Sequence, residues 1–107
     1  MNAIGRTCAI LALVLGLAAT PPPIYSITVY AMSAQVSAKF VADGVTQTAI
    51  VYLGKKVTFD YDSVPGKLAF EITGCGRTQS QTIIVPPGHP GANFTIHPYC
   101  VIQITSR

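Results

Sequence analysis

The chain has 107 residues, of which 50% are hydrophobic and only 10% are charged. Ordinary soluble domains carry about 25% charged residues, so this chain is poor in charge, and its length allows one small domain at most. The seven basic residues exceed the four acidic ones, but they are scattered along the sequence, which excludes the concentrated basic patch that nucleic-acid binding requires.

The N-terminal residues have the pattern of a secretory signal peptide. One positive charge, Arg6, precedes an apolar stretch over residues 8–19, and three prolines follow at positions 21–23. Because proline ends a helix, the apolar helix reaches roughly 20 Å, whereas a bilayer core requires about 30 Å. We therefore expect a cleaved signal that directs the protein to the periplasm or to the cell exterior, with no membrane span in the mature form.

Two positions fit the small-residue rule for signal cleavage. One lies after Ala18, in the segment Gly16-Leu17-Ala18, and the other lies after Ala34. Residues 1–34 are accordingly predicted to be a signal peptide and leader, and residues 35–107 a single domain.

The segments after Ala34 have the composition or the two-residue alternation of β-strands, and none shows the 3.6-residue period of a helix. The predicted strands are residues 35–40, 48–53, 57–61, 68–73, 81–85, 93–97 and 100–105. Residues Ala42, Asp43 and Gly44 predict a turn after the first strand.

Pro65 and Gly66 predict a type II turn, in which glycine supplies the positive φ. This turn would join the predicted strands 57–61 and 68–73 into a hairpin. The next segment, residues 74–77, is predicted to be a flexible connection that carries Cys75.

Two neighbouring segments have distinctive surface chemistry. Residues 78–82 are polar and uncharged, and residues 86–91 form a loop, because three of these six residues are prolines without an N–H group. The predicted binding residues are Thr78, Gln79, Ser80 and Gln81 in the polar run and His89 in the loop.

The number and spacing of the strands predict an all-β fold. About seven short strands at roughly ten-residue intervals are typical of a small antiparallel β-sandwich, with a small barrel as the second choice. An immunoglobulin-like arrangement is compatible with this number, although the chain has no Trp and its cysteine pair falls late.

Removal of Cys8 with the signal leaves Cys75 and Cys100, which in an exported protein most simply form one disulfide. Such a bridge would stabilise the fold by roughly 3.5 kcal/mol through loop closure. The alternative is a zinc or copper site formed by these cysteines with His89 and His97, but the spacing lacks the C-x-x-C and H-x-x-x-H pairs typical of metal sites.

No set of nucleophile, base and orienting group can be assembled from the sequence, so we expect a non-enzymatic protein without a cofactor. Asn93 begins an N-glycosylation sequon, Asn93-Phe94-Thr95, at the predicted start of a strand.

The sequence therefore predicts an exported module that binds another macromolecule, a protein or a carbohydrate, through a sheet edge or its loops. Weakly charged strand edges also permit self-association, so a structural subunit of a surface assembly is the first alternative. A small exported protein that binds a metal through its histidines is the second.

Overall fold

The computed structural model describes residues 24–107, so residues 1–23 of the predicted signal peptide and leader lie outside the described residues. The described part contains eight strands and a short 3-10 turn: β1 (Tyr25–Tyr30), β2 (Val36–Ala42), β3 (Val45–Val51), β4 (Lys56–Tyr61), β5 (Lys67–Gly74), β6 (Arg77–Ile84), β7 (Gly91–Ile96), the turn Pro98–Cys100 and β8 (Ile102–Ser106). Across these residues, no helix has the length and apolar character needed to cross a membrane.

The strands form two four-stranded sheets that pack face to face. The first sheet has the order β4-β1-β7-β8 and the second has the order β3-β2-β5-β6. Neighbouring strands are antiparallel except β1 and β7, which run parallel with Thr28 opposite Asn93. The predicted all-β sandwich is confirmed, with one parallel pair within a largely antiparallel fold.

The strand order differs from the immunoglobulin-like arrangement that the strand number allowed. In an immunoglobulin constant domain the first two strands are neighbours in one sheet, and the other sheet has three strands. Here β1 and β2 lie in different sheets, and each sheet has four strands.

The core consists of the inward-facing residues of both sheets, and within residues 24–107 no charged residue and no polar residue other than tyrosine is buried. Four phenylalanines form its centre. The ring of Phe40 lies 5.0 Å from the rings of Phe59 and Phe94, and the ring of Phe70 lies 5.1 Å from that of Phe94. Because Phe40 and Phe70 belong to the second sheet and Phe59 and Phe94 to the first, these contacts hold the two sheets together.

Strand β1 was not among the predicted strands. It pairs with β4 on one side and β7 on the other, so it is a central strand of the first sheet. Its side chains alternate between buried and half-buried, with Tyr25, Ile27 and Val29 in the core. The fold therefore includes residues that the predicted domain boundary at residue 35 left out, and cleavage after Ala34 would remove them.

Residues 57–61 and 68–73 do not form the predicted hairpin. They belong to β4 and β5, which lie in different sheets, so the segment between them crosses from one sheet to the other. Gly66 is not among the glycines with positive φ, so the predicted type II turn is also wrong. The Pro65-Gly66 pair correctly indicates that the chain bends here, but it does not determine which strands β4 and β5 pair with.

The hairpins of the second sheet form at two other turns. Asp43 and Gly44, with φ of 51° and 75°, join β2 to β3, while Cys75 and Gly76, with φ of 53° and 74°, join β5 to β6. Two successive central residues with positive φ define a type I′ turn, whose twist matches that of the strands. The turn predicted at residues 42–44 is confirmed, whereas the predicted flexible connection at residues 74–77 is a tight turn.

Strands β2 to β8 each overlap one predicted strand. The largest difference is in β6, which begins at Arg77 and includes the whole polar run. The predicted loop at residues 86–91 is confirmed up to Pro90, since Gly91 already belongs to β7.

Candidate functional site

The polar run predicted as a binding segment lies on β6, which forms one edge of the second sheet. Alternation divides its residues between the two faces of the sheet. Thr78 and Ser80 face solvent on the outer side, whereas Gln79 and Gln81 face the first sheet, because each is paired with a core residue of β5. The four residues therefore do not form one continuous side-chain surface.

Two of these side chains make contacts within the domain. The Oγ1 atoms of Thr78 and Thr73 lie 2.9 Å apart. The amide Nε2 of Gln79 donates to the backbone oxygen of Cys100 at 2.8 Å and so connects the two sheets. Ser80 and Gln81 are exposed.

What β6 offers to a partner is its backbone. In a hairpin with a two-residue turn, Gly74 and Arg77 exchange both of their hydrogen bonds, and the bonding pairs then alternate along the ladder. This register directs the N–H and C=O groups of alternate residues toward β5 and those of the others away from it. The outward groups belong to Thr78, Ser80, Thr82 and Ile84.

The edge of β6 also lacks the features that ordinarily block strand pairing. Proteins protect sheet edges with charged side chains, proline, bulges or very short strands. β6 has eight residues, and its one charge, Arg77, is at its first position. By contrast, the β4 edge of the first sheet carries Lys56 and Asp60, and the β8 edge has five residues.

A shallow depression lies beside this edge on the outer face of the second sheet. Its volume is about 400 Å³, and its lining includes Val41, Ala69, Ser80 and Thr82. The small side chain of Ala69 creates the space between β2 and β6. An ion pair lies at its border, where the Nζ atom of Lys39 and the Oε1 atom of Glu71 are 3.8 Å apart.

The predicted disulfide between Cys75 and Cys100 is confirmed, with the Cα atoms 6.0 Å apart. Cys75 lies in the turn that begins β6, and Cys100 lies in the 3-10 turn before β8, so the bridge joins the two sheets at one end of the sandwich. His89 lies at the opposite end, in the loop between β6 and β7. The bridge therefore braces the start of β6, not the loop of residues 86–90.

The two histidines lie beyond opposite ends of β7, whose six residues span about 20 Å. Both are half-buried and hydrogen-bonded: His89 Nδ1 is 2.7 Å from the backbone oxygen of Arg107, and His97 Nε2 is 2.7 Å from Oε1 of Gln103. Within residues 24–107 no group of three or more His, Cys, Asp or Glu side chains is placed to hold a metal ion. The residues of the predicted metal alternative do not converge.

Asn93, the predicted glycosylation residue, is the third residue of β7. It lies inside a central strand, between Thr28 of β1 and Thr105 of β8, and is half-buried. The sequon is thus part of a paired strand and does not stand at a loop boundary. Glycosylation stays a prediction.

Ile84, which ends β6 and is 78% exposed on the outer face, was not among the predicted binding residues. The continuity of the strand from Arg77 onward was not predicted either, because the alternation there is between different polar residues. A usable signal was present in Cys75-Gly76, whose glycine favours a tight turn and predicts a strand on each side.

Comparisons of this chain with protein-family models, with curated proteins and with solved structures yield no match. The function must therefore be inferred from the β-sandwich and its sheet edges.

Proposed function

We propose that this chain is an exported, non-enzymatic module that binds another protein by adding an extended segment of that protein to the edge of β6. The observation that carries the proposal is the long edge strand with outward N–H and C=O groups at Thr78, Ser80, Thr82 and Ile84 and no charge after Arg77. In this mode of recognition the main-chain hydrogen bonds supply the affinity.

The chemistry of the edge favours a protein over a carbohydrate. Donors and acceptors alternate along β6 with the spacing of a β-ladder, which another polypeptide strand matches directly. Each such hydrogen bond contributes about 0.5–1.5 kcal/mol net. The outer-face depression lined by Val41 and Ala69 can then select among side chains of the added strand that face the same side.

The disulfide supports the export part of the proposal. Bridges such as Cys75–Cys100 form and persist in oxidising compartments and are rare in the cytosol. This agrees with the signal-like sequence that precedes the domain.

The proposal is tested with a displayed library of random decapeptides, selected on the immobilised chain. Selected peptides are titrated against the wild type and against Ser80→Pro. Proline at position 80 removes an outward N–H but no hydrogen bond to β5, so the sheet is retained while an added strand loses a partner. Because one hydrogen bond of about 0.5–1.5 kcal/mol is lost, we expect the affinity to fall by about two- to twelvefold.

The matched control is Thr48→Pro, which removes an outward N–H from β3 at the other edge of the same sheet. This variant should bind the peptides as the wild type does. In the wild type, bound peptide should slow hydrogen exchange at Thr78, Ser80 and Thr82. Failure to select any peptide, equal losses in both variants, or unchanged exchange on β6 would contradict the proposal.

A subunit of a surface assembly is the second candidate, and it also has a specific observation in its favour. β3, at the opposite edge of the second sheet, is uncharged as well. Copies that join β6 of one molecule to β3 of the next would form a ring or an open fibre, because this contact is heterologous. Size-exclusion chromatography over a concentration series separates the candidates, since a module that binds a foreign strand stays monomeric.

A further inference from the structure

Four connections meet at the end of the sandwich that contains the disulfide: residues 31–35, 52–55, 75–76 and 97–101. We call this surface the loop end. Backbone hydrogen bonds join the first two connections, from Gly54 N to the oxygen of Ala31 at 2.7 Å, and join the first to the end of β7, from Ser33 N to the oxygen of Ile96 at 3.2 Å. The disulfide joins the other two. The loop end is therefore one connected surface.

Large apolar side chains project from the loop end into solvent. Tyr52 and Leu53 are 59% and 60% exposed, Val101 is 54% exposed, and Tyr99 is 87% exposed. Single exposed apolar residues are common on proteins, but several on adjacent loop tips indicate an interaction surface.

The backbone holds Tyr99 in its outward position. Its φ is 63° and that of Cys100 is 56°, both in the left-handed region that residues other than glycine rarely adopt. A guanidinium nitrogen of Arg77 donates to the backbone oxygen of Tyr99 at 3.3 Å, and the disulfide fixes the next residue. An unfavourable conformation that is maintained in this way points to a role for the exposed ring.

The charges at the loop end are all positive. Lys55, Lys56 and Arg77 are exposed there. The acidic residues of the chain lie further along the strands or at the opposite end of the sandwich, at Asp43, Asp60, Asp62 and Glu71. The loop end thus combines apolar tips with basic side chains and has no carboxylate of its own.

We propose that the loop end docks on an anionic lipid surface, a property independent of strand addition at β6. Tyrosine rings and lysine side chains are favoured at the boundary between headgroups and acyl chains, because one part of each is apolar and the other polar. Each Lys or Arg near an anionic leaflet raises the affinity by about fivefold. Separate tips that protrude, such as Leu53 and Tyr99, suit a deformable apolar layer.

The test uses the absence of tryptophan from the chain. Leu53→Trp and Tyr99→Trp place a single tryptophan at the loop end, and Ile84→Trp places one on β6 at a position whose 78% exposure lies between the 60% of Leu53 and the 87% of Tyr99. With vesicles of phosphatidylcholine and phosphatidylserine, we expect the emission of the first two variants to move to shorter wavelength and to be quenched by a nitroxide-labelled lipid. Ile84→Trp should show neither effect, and the full chain can be used because each signal is local.

The charge dependence is measured with Lys55→Gln in the Leu53→Trp background, which should require about fivefold more lipid for half of the spectral change. Lys67→Gln, at the opposite end of the sandwich, is the matched control and should require no more. The proposal is overturned if the loop-end reporters do not respond, if Ile84→Trp responds equally, or if phosphatidylcholine alone gives the same change. An equal change with soluble polyglutamate would assign the surface to an acidic polypeptide instead.

Discussion

The hydroxyl of Tyr61 is buried and, among the described residues, has no hydrogen-bond partner. Tyr61 is opposite Tyr25 in the β1–β4 pair, and burial raises the pKa of both hydroxyls above the ordinary value of 10.0. A buried polar group without a partner costs about 1–3 kcal/mol. The ring of Tyr61 therefore stabilises the core while its hydroxyl opposes that contribution.

Tyr61→Phe should leave the free energy of unfolding at pH 7 unchanged or raise it by about 1 kcal/mol. Above pH 10.0 the unfolded chain loses the tyrosine proton before the folded chain does, so wild-type stability falls as the pH rises toward the raised folded-state pKa. The variant should lose less stability over that range.

Urea unfolding at neutral and at strongly alkaline pH measures both effects. Tyr52→Phe, at an exposed tyrosine, is the control and should match the wild type at each pH. A clear loss of stability in Tyr61→Phe at neutral pH would mean that the hydroxyl has a partner in solution.

At the scale of the element, alternation of apolar residues located most of the strands from the sequence. Val57, Phe59 and Tyr61 are an example, since this spacing predicts a strand with one inward face, and β4 has that face. Pairing was not predictable in the same way. The Pro65-Gly66 pair predicts only a bend between adjacent segments. β4, however, pairs with β1, a strand that is distant from it in sequence.

Two elements were obscured by competing patterns. The residues of β1 alternate between buried and half-buried positions. The small residues that follow β1 also fit a cleavage site, however, and the predicted domain boundary was therefore placed at residue 35. The start of β6 has polar residues on both faces because an edge strand is less covered by the opposite sheet. The polar segment could therefore be singled out from the sequence, but the outward direction of its backbone groups could not be predicted without the register.

The position of β1 predicts the outcome of two truncations. A chain that begins at residue 19 keeps β1 and should fold, whereas a chain that begins at residue 35 loses the strand between β4 and β7 and should not. Far-ultraviolet circular dichroism and the dispersion of amide proton resonances distinguish the two states. If both chains give the same well-dispersed spectrum, β1 is dispensable and cleavage after Ala34 is compatible with the fold.

At the scale of the whole molecule, the disulfide links a turn of the second sheet to a connection of the first. Reduction of the bridge should lower the free energy of unfolding by about 2–4 kcal/mol, because the unfolded chain is then less restricted. Chemical unfolding of the same preparation with and without a thiol reductant measures this difference. The variant with both Cys75→Ala and Cys100→Ala should match the reduced wild type and should not respond to reductant.

Equal unfolding midpoints for oxidised and reduced protein would show that packing alone holds the sheets together. The difference between the two midpoints reports the disulfide alone, because the contacts between the sheets are present in both the oxidised and the reduced protein. These contacts are made by Phe40, Phe59, Phe70 and Phe94.

The parallel pairing of β1 with β7 has a consequence for the order of assembly. The hairpins of the second sheet can close as soon as their turns have emerged during synthesis, since their partners are near in sequence. The parallel pair, however, brings together Thr28 and Asn93, which are far apart in sequence, so it cannot form until β7 has been synthesised. Strand β1 therefore lacks one of its two neighbours until β7 has been synthesised, and a nascent or translocating polypeptide leaves that side of β1 unpaired.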